Sequence, residues 1–191
     1  MPTGIIINTI AIFLGGIAGA VLGDKLPEKY KEQLNMIFGL CSMAMGIASI
    51  GLMKYMPAVI FAIIIGTLVG LFFNLGDLVY RACAKLQKLM VKVVPKPNTS
   101  MSETEFLATL ITVIVLFCSS GMGIYGSLSE GITGDHSLLI TKSILDFFTA
   151  AIFACNLGYI VSLIAVPQFV IFMFLFFLVI TVNSSLFSMQ L

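Results

Sequence analysis

GIIINTIAIFLGGIAGAVLG, residues 4–23, holds no charged side chain in twenty positions, and its apolar residues do not alternate with polar ones. About twenty apolar residues, rising ~1.5 Å each, are what a helix needs to cross a hydrocarbon layer of ~30 Å. A strand of a membrane barrel would alternate between lipid and lumen. In lipid the backbone must satisfy its own hydrogen bonds, so the stretch reads as a transmembrane helix.

Five more stretches share this character: residues 34–53, 57–76, 106–128, 138–166 and 168–188. The fifth has 29 residues, so it must tilt, bend or protrude. The expected fold is an all-α polytopic membrane protein of about six transmembrane helices. Composition agrees. Of 191 residues, 59% are hydrophobic and 10% charged, and mean hydropathy is +1.11, whereas a soluble domain is about a quarter charged. The net charge of +1 supplies no basic field for nucleic acid.

Lys25, Lys29 and Lys31 lie between spans one and two, and Arg81, Lys85, Lys88, Lys92 and Lys96 between spans three and four. Lys54 falls on the other side and Lys142 within span five. The positive-inside rule places the first two groups in the cytoplasm, with both termini outward. No basic segment precedes the first apolar run, so no cleaved signal peptide is expected. Cys41, Cys118 and Cys155 fall within spans and Cys83 in the basic segment. With no paired spacing, neither a disulfide nor a metal site is expected.

Residues 77–94, DLVYRACAKLQKLMVKVV, set Arg81, Lys85, Lys88 and Lys92 within about 60° of one another on a helix, with Val79, Leu86, Met90 and Val93 opposite. This is a basic amphipathic helix, lying along the inner membrane surface or continuing span three. The polar, proline-bearing residues 95–105 then form a cytoplasmic linker. They separate an N-terminal three-span half, residues 1–94, from a C-terminal three-span half, residues 106–191.

Gly15, Gly19 and Gly23 are spaced by four in span one, as are Gly66 and Gly70 in span three. Small residues at this spacing make a groove for close helix packing, within the bundle or between copies. Asn8 in span one is an isolated amide, expected to hydrogen-bond across helices.

The polar residues gather between Phe117 and Phe147. Gly121, Gly123 and Gly126 weaken the outer part of span four and predict a break there, beside Ser120. Broken helices in transporters expose backbone groups to small solutes. In span five, Lys142 and Asp146 stand one turn apart in ion-pair reach. Thr149 and Asn156 fall on the same narrow stripe, within about 80°. Such a stripe is expected to face a protein interior or wet cavity rather than lipid. Asp146 lies too deep for its short side chain to reach the interface, so it is the candidate titratable or cation-binding group. Lys142 is its partner, and Ser127, Ser143, Thr149 and Asn156 are neutral candidates. Glu130, Asp135 and His136 are read as an outer loop, the first two lining an entrance. No enzyme motif such as HExxH, GxxxxGK[ST] or GxSxG occurs, so no catalytic activity and no cofactor are expected.

Two groups of residues carry a resemblance. Gly4, Asn8, Ala11, Gly15, Gly16 and Gly23 with Leu26, Pro27 and Glu28 form the first, and Gly126, Ser127, Gly134, Asp135, Lys142, Ser143, Leu145 and Asp146 the second. The chain resembles the YdfK/YqgA-type family of uncharacterised bacterial inner-membrane proteins over nearly its whole length. It departs from that pattern at Ser120–Gly121, where Gly–Pro is usual, and at Glu130 and Phe147, where Asp and Gly are. The resemblance implies a membrane protein of a kind often labelled a transporter, with relatives that run on by one or two spans. A homo-oligomer is expected on that account. The functional expectation is passage of a small solute or ion by spans four and five. The alternatives are a passive channel using the same residues and a structural or accessory subunit with no transport.

Overall fold

The computed structural model describes residues 1–23, 27–51, 55–93 and 102–188. Every regular element among them is a helix: α1 (Thr3–Leu22), α2 (Glu28–Ile50), α3 (Met56–Phe72), α4 (Leu75–Val93), α5 (Glu103–Cys118), α6 (Gly121–Thr133), α7 (Ser137–Leu157), the single turn α8 (Ile160–Leu163) and α9 (Ala165–Ser188). Lys25, Lys54 and Lys96, and linker residues 95–101, lie outside the described residues.

Six spans were expected. Among the described residues four spans are long and apolar enough to cross a membrane, or five if α3 and α4 count as one bent span. Two boundaries explain part of the difference. The expected second span runs to residue 53, beyond the described residues, and the charges of Lys29, Lys31 and Glu32 lie ahead of it in the first turns of α2. The α3–α4 pair bends by 66° at Asn74, whose φ is 50°. A left-handed backbone angle is one that asparagine tolerates better than most residues.

The 29-residue fifth stretch bends rather than tilts. α7 ends at Leu157, and Gly158 takes φ 71° and ψ −157°, a region open essentially to glycine alone. The chain then makes one turn in α8 and re-enters the bundle as α9. The fourth span starts earlier than expected, at Glu103, because Ser102 caps it by accepting from the Glu105 N–H (3.3 Å).

α1 and α7 form the centre of the bundle. Gly4 packs on Leu139, Gly15 on Phe147, Gly19 on Ala151 and Gly23 on Cys155, so residue numbers rise together and the helices run parallel. The span-one glycines thus build an intramolecular seam. A Cβ on Gly23 would sit 2.8 Å from the Cys155 carbonyl oxygen, and one on Gly15 or Gly19 closer still to the carbonyls of Phe147 and Ala151. Among the described residues Gly66 and Gly70 meet nothing: α3 has no buried residue, and a Cβ on either would enter open space. α6 and α9 also run parallel, Gly123 meeting Phe172 and Gly131 meeting Phe176 and Val179. α9 is antiparallel to α1, with Gln168 against Asn8 and Phe172 clustered with Ile5.

One end of the bundle therefore carries Gly4, Glu130 and Leu139. The opposite end carries Asn156, which accepts from Lys31 Nζ (3.2 Å). α4 buries Cys83, Gln87 and Met90, while Arg81, Lys85, Lys88 and Lys92 are exposed. Its cysteine and methionine join a core with Phe106, Leu110 and Ile114 of α5 and Ile160 of α8.

Candidate functional site

The break in span four falls at Ser119–Ser120, one residue before the glycines expected to cause it. Gly121, Gly123 and Gly126 are helical. Gly123 admits the Phe172 ring and Gly126 the Leu139 side chain, so they serve packing rather than unwinding. The interruption comes from Ser120, whose hydroxyl turns back to accept from the Gly123 N–H (3.4 Å) and so starts a new helix.

Beside this break lies a cavity of about 260 Å³. Ser42 and Met45 of α2, Leu116 of α5, Ser120 and Met122 around the break, and Lys142, Leu145, Asp146 and Thr149 of α7 line it. Four sequence candidates, Ser120, Lys142, Asp146 and Thr149, thus share one space. Three hydroxyls and an ion pair face walls of methionine and leucine. The lining is mixed, polar and apolar, and the space is large enough to hold water.

Asp146 is 6% exposed and Lys142 3%. The Lys142 ammonium pairs with Asp146 Oδ2 along the same helix. Asn8 donates to that same oxygen through Nδ2 (2.8 Å), and Gln168 Nε2 donates to Asn8 Oδ1 (2.7 Å). Thr9 Oγ1 closes the chain on Gln168 Oε1 (3.2 Å). A relay of side chains therefore runs from α9 through α1 to the acid on α7. It satisfies groups that would otherwise be costly to bury. Both hydrogen bonds to Asp146 fall on Oδ2, and Oδ1 takes part in neither.

The remaining candidates lie elsewhere. Ser127 and Ser143 spend their hydroxyls on the carbonyls of Gly123 (2.7 Å) and Leu139 (2.6 Å), one turn back on their own helices. Asn156 is held by Lys31, at the far end of α7. Asp135 is exposed, and its Oδ1 accepts from the Ser137 N–H (2.9 Å) and Oγ (2.6 Å) at the start of α7. These bonds, the hydroxyl first, hold its carboxyl below the ordinary range. Glu130 corrects the reading of an outer-loop acid. It is helical, in α6, and 2% exposed, with Oε1 accepting from the Gly4 N–H (2.7 Å) at the start of α1. The helix of which it is part continues to Thr133, where Gly134 (φ 74°) caps it.

Sequence reasoning missed Gln168 and placed Asn8 in helix packing alone. Gln168 has a signal: a polar amide in an uncharged span, where a buried amide must find a partner. Ser42 and Met45 have none, since which face of α2 meets α7 depends on packing such as the Phe38–Phe148 stack (5.5 Å between ring centroids).

A family model described as "Protein of unknown function (DUF554)" matches residues 3–190. The chain is 43% identical over 171 residues to the "Uncharacterized protein YqgA" of Escherichia coli (strain K12), covering 90% of this chain and 71% of that protein. It is 27% identical over 170 residues to the "Uncharacterized membrane protein YdfK" of Bacillus subtilis (strain 168), covering 87% and 68%. No solved structure matches. The apolar helices and the name of the Bacillus relative agree on a membrane protein.

Proposed function

The chain belongs to the DUF554 family, and from that premise we propose that it carries a small solute or ion across the bacterial inner membrane, with its basic segments in the cytoplasm. The observation that carries this reading is the 260 Å³ cavity at the break of span four, lined by Asp146, Lys142, Ser120, Ser42 and Thr149. Intramembrane charge that faces a cavity is a mark of solute pathways. Asp146 offers Oδ1 to a cation or proton while Lys142 and Asn8 hold Oδ2, and the three hydroxyls supply neutral ligands. The Ser119–Ser120 break lets α6 move relative to α5, as discontinuous helices do in carriers.

The orientation rests on the positive-inside rule, applied to Lys29 and Lys31 of α2 and to the cations of α4. A thermal-stability screen of the purified chain against ions and metabolites tests the site. A ligand that binds the native state raises the melting temperature. The shift is expected in wild type and absent in a folded Asp146→Asn variant. A shift that survives Asp146→Asn removes the acid from the site. For any ligand found, accumulation against its gradient under an imposed pH or sodium gradient distinguishes a carrier from a passive channel, which only equilibrates.

One observation favours a second reading, a structural subunit without transport. Oδ2 of Asp146 already holds two partners in a relay across three helices, as a latch would. Under that reading Asp146→Asn lowers the yield of folded protein and no ligand shifts its melting.

A further inference from the structure

Glu130 is the buried acid that the passage described above does not use. Its Oε1 holds the Gly4 N–H, but its Oε2 is enclosed and has no hydrogen-bond partner. No cation pairs with it among the described residues. α1 and α9, which pack around this end of α6, contain no charged residue. From α9 the neighbours are Phe176 and Val179, against Gly131. The titratable groups on the surrounding elements are His136, whose Cβ flanks Gly4 together with Oε2, the exposed Asp135 beside it, held by Ser137, then Lys142 and Asp146 further along α7, and the amino group of Met1 ahead of α1. Lys142 is already engaged with Asp146.

A carboxylate oxygen in such a place lacks both a donor and a counter-charge, the arrangement that protein interiors tolerate least. A metal ion does not resolve it. Hard cations take about six or more oxygen ligands, and among the described residues no three His, Cys, Asp or Glu side chains come together. A proton needs only the one oxygen.

We propose that Glu130 is a proton-binding site: Oε2 holds a proton while Oε1 caps the start of α1. The two buried acids, from α6 and α7, then hold partners on one helix: Glu130 takes Gly4 and Asp146 takes Asn8, positions one turn and about 6 Å apart along the α1 axis. Without the proton, Oε2 is a charge with neither donor nor cation beside it, and the contact of α6 with the start of α1 is weakened. The site exists independently of transport. Its role as the coupling step rests on the passage reading above.

Infrared difference spectra across a pH jump test this. The full chain is reconstituted in phosphatidylethanolamine–phosphatidylglycerol liposomes, and the proton is the probe. A carboxylic-acid C=O band is expected that shifts with carboxyl-¹³C glutamate, stays unmoved with labelled aspartate, vanishes in Glu130→Gln and persists in Asp146→Asn. The glutamine keeps an acceptor for Gly4 and supplies a donor where the acid has its proton. Should that variant not fold, Glu130→Asp decides: the band must then respond to labelled aspartate instead of labelled glutamate. Absence of any glutamate-sensitive acid band, or its survival in Glu130→Gln, overturns the proposal. A band that persists in Asp146→Asn while that variant keeps every ligand-induced melting shift supports the proton site and defeats the passage reading only.

Discussion

Two glycine pairs with the same spacing should respond to alanine in opposite directions. At Gly19 a new Cβ runs into the Ala151 carbonyl, a backbone atom that cannot rotate aside. At neighbouring Gly23 the contact would be 2.8 Å, where ordinary contact begins at 3.4 Å, so α1 and α7 must part by about 0.6 Å there and by more at Gly19. Overpacking of this kind costs about 1–3 kcal/mol, and a rigid obstacle puts Gly19→Ala near the top of that range. Alanine recovers about 1 kcal/mol of helix propensity. The net loss is about 2 kcal/mol, a roughly thirty-fold drop in the folded-to-unfolded ratio. Gly66→Ala meets open space, so only the propensity gain of about 1 kcal/mol remains. Reversible unfolding in mixed detergent micelles, followed by circular dichroism, measures both variants. Equal stability of Gly19→Ala and wild type refutes the seam. A loss at Gly66 matching that at Gly19 refutes the open placement of α3.

Three further outcomes follow from single contacts. Asn8→Ala removes a donor from Asp146 and an acceptor from Gln168, and should lower stability by about 1–3 kcal/mol in the same micelle assay. Asn8→Ala should also cost more than Asn183→Ala, on the far part of α9. Gly158→Ala should destabilise by about 1–3 kcal/mol, because φ 71° with ψ −157° strains any residue with a Cβ. Asp135 has a depressed folded-state value, so its contribution to the start of α7 is present above the unfolded carboxylate value and disappears as pH falls through the lower folded one. Melting temperature against pH should therefore drop less steeply on the acid side in Asp135→Asn than in wild type. Parallel profiles would contradict the assignment.

The helices were readable because lipid imposes one rule on every span: twenty apolar residues, helical throughout. The Lys142–Asp146–Thr149 stripe was readable for a related reason, since 100° per residue fixes which side chains share a face of one helix. Nothing comparable relates one helix to another. That α1 lies parallel to α7 decides that Asn8 meets Asp146 rather than Asn156 near the other end of α7, and only the three-dimensional seam of Gly15, Gly19 and Gly23 settles it. Gly66 and Gly70 show the limit from the other side: identical spacing, no neighbour. Glu130 was misplaced because SLSEGITGDHS is rich in turn residues, yet α6 continues through it to Gly134. The break in span four was expected at the glycines and occurs at the capping serine before them, where local hydroxyl chemistry outweighed glycine's conformational freedom.

The central claim is that the acid and base of α7 border a space that water reaches. Single cysteines at Thr149 and Ser120, in a chain whose Cys41, Cys83, Cys118 and Cys155 are replaced by serine or alanine, test it in intact membranes with a charged, water-borne thiol reagent. Thr149→Cys and Ser120→Cys should be modified, and Ile144→Cys, on the opposite, exposed apolar side of α7, should not. Modification confined to Ile144→Cys, or none at Thr149→Cys and Ser120→Cys while the proteins remain folded, would contradict the account.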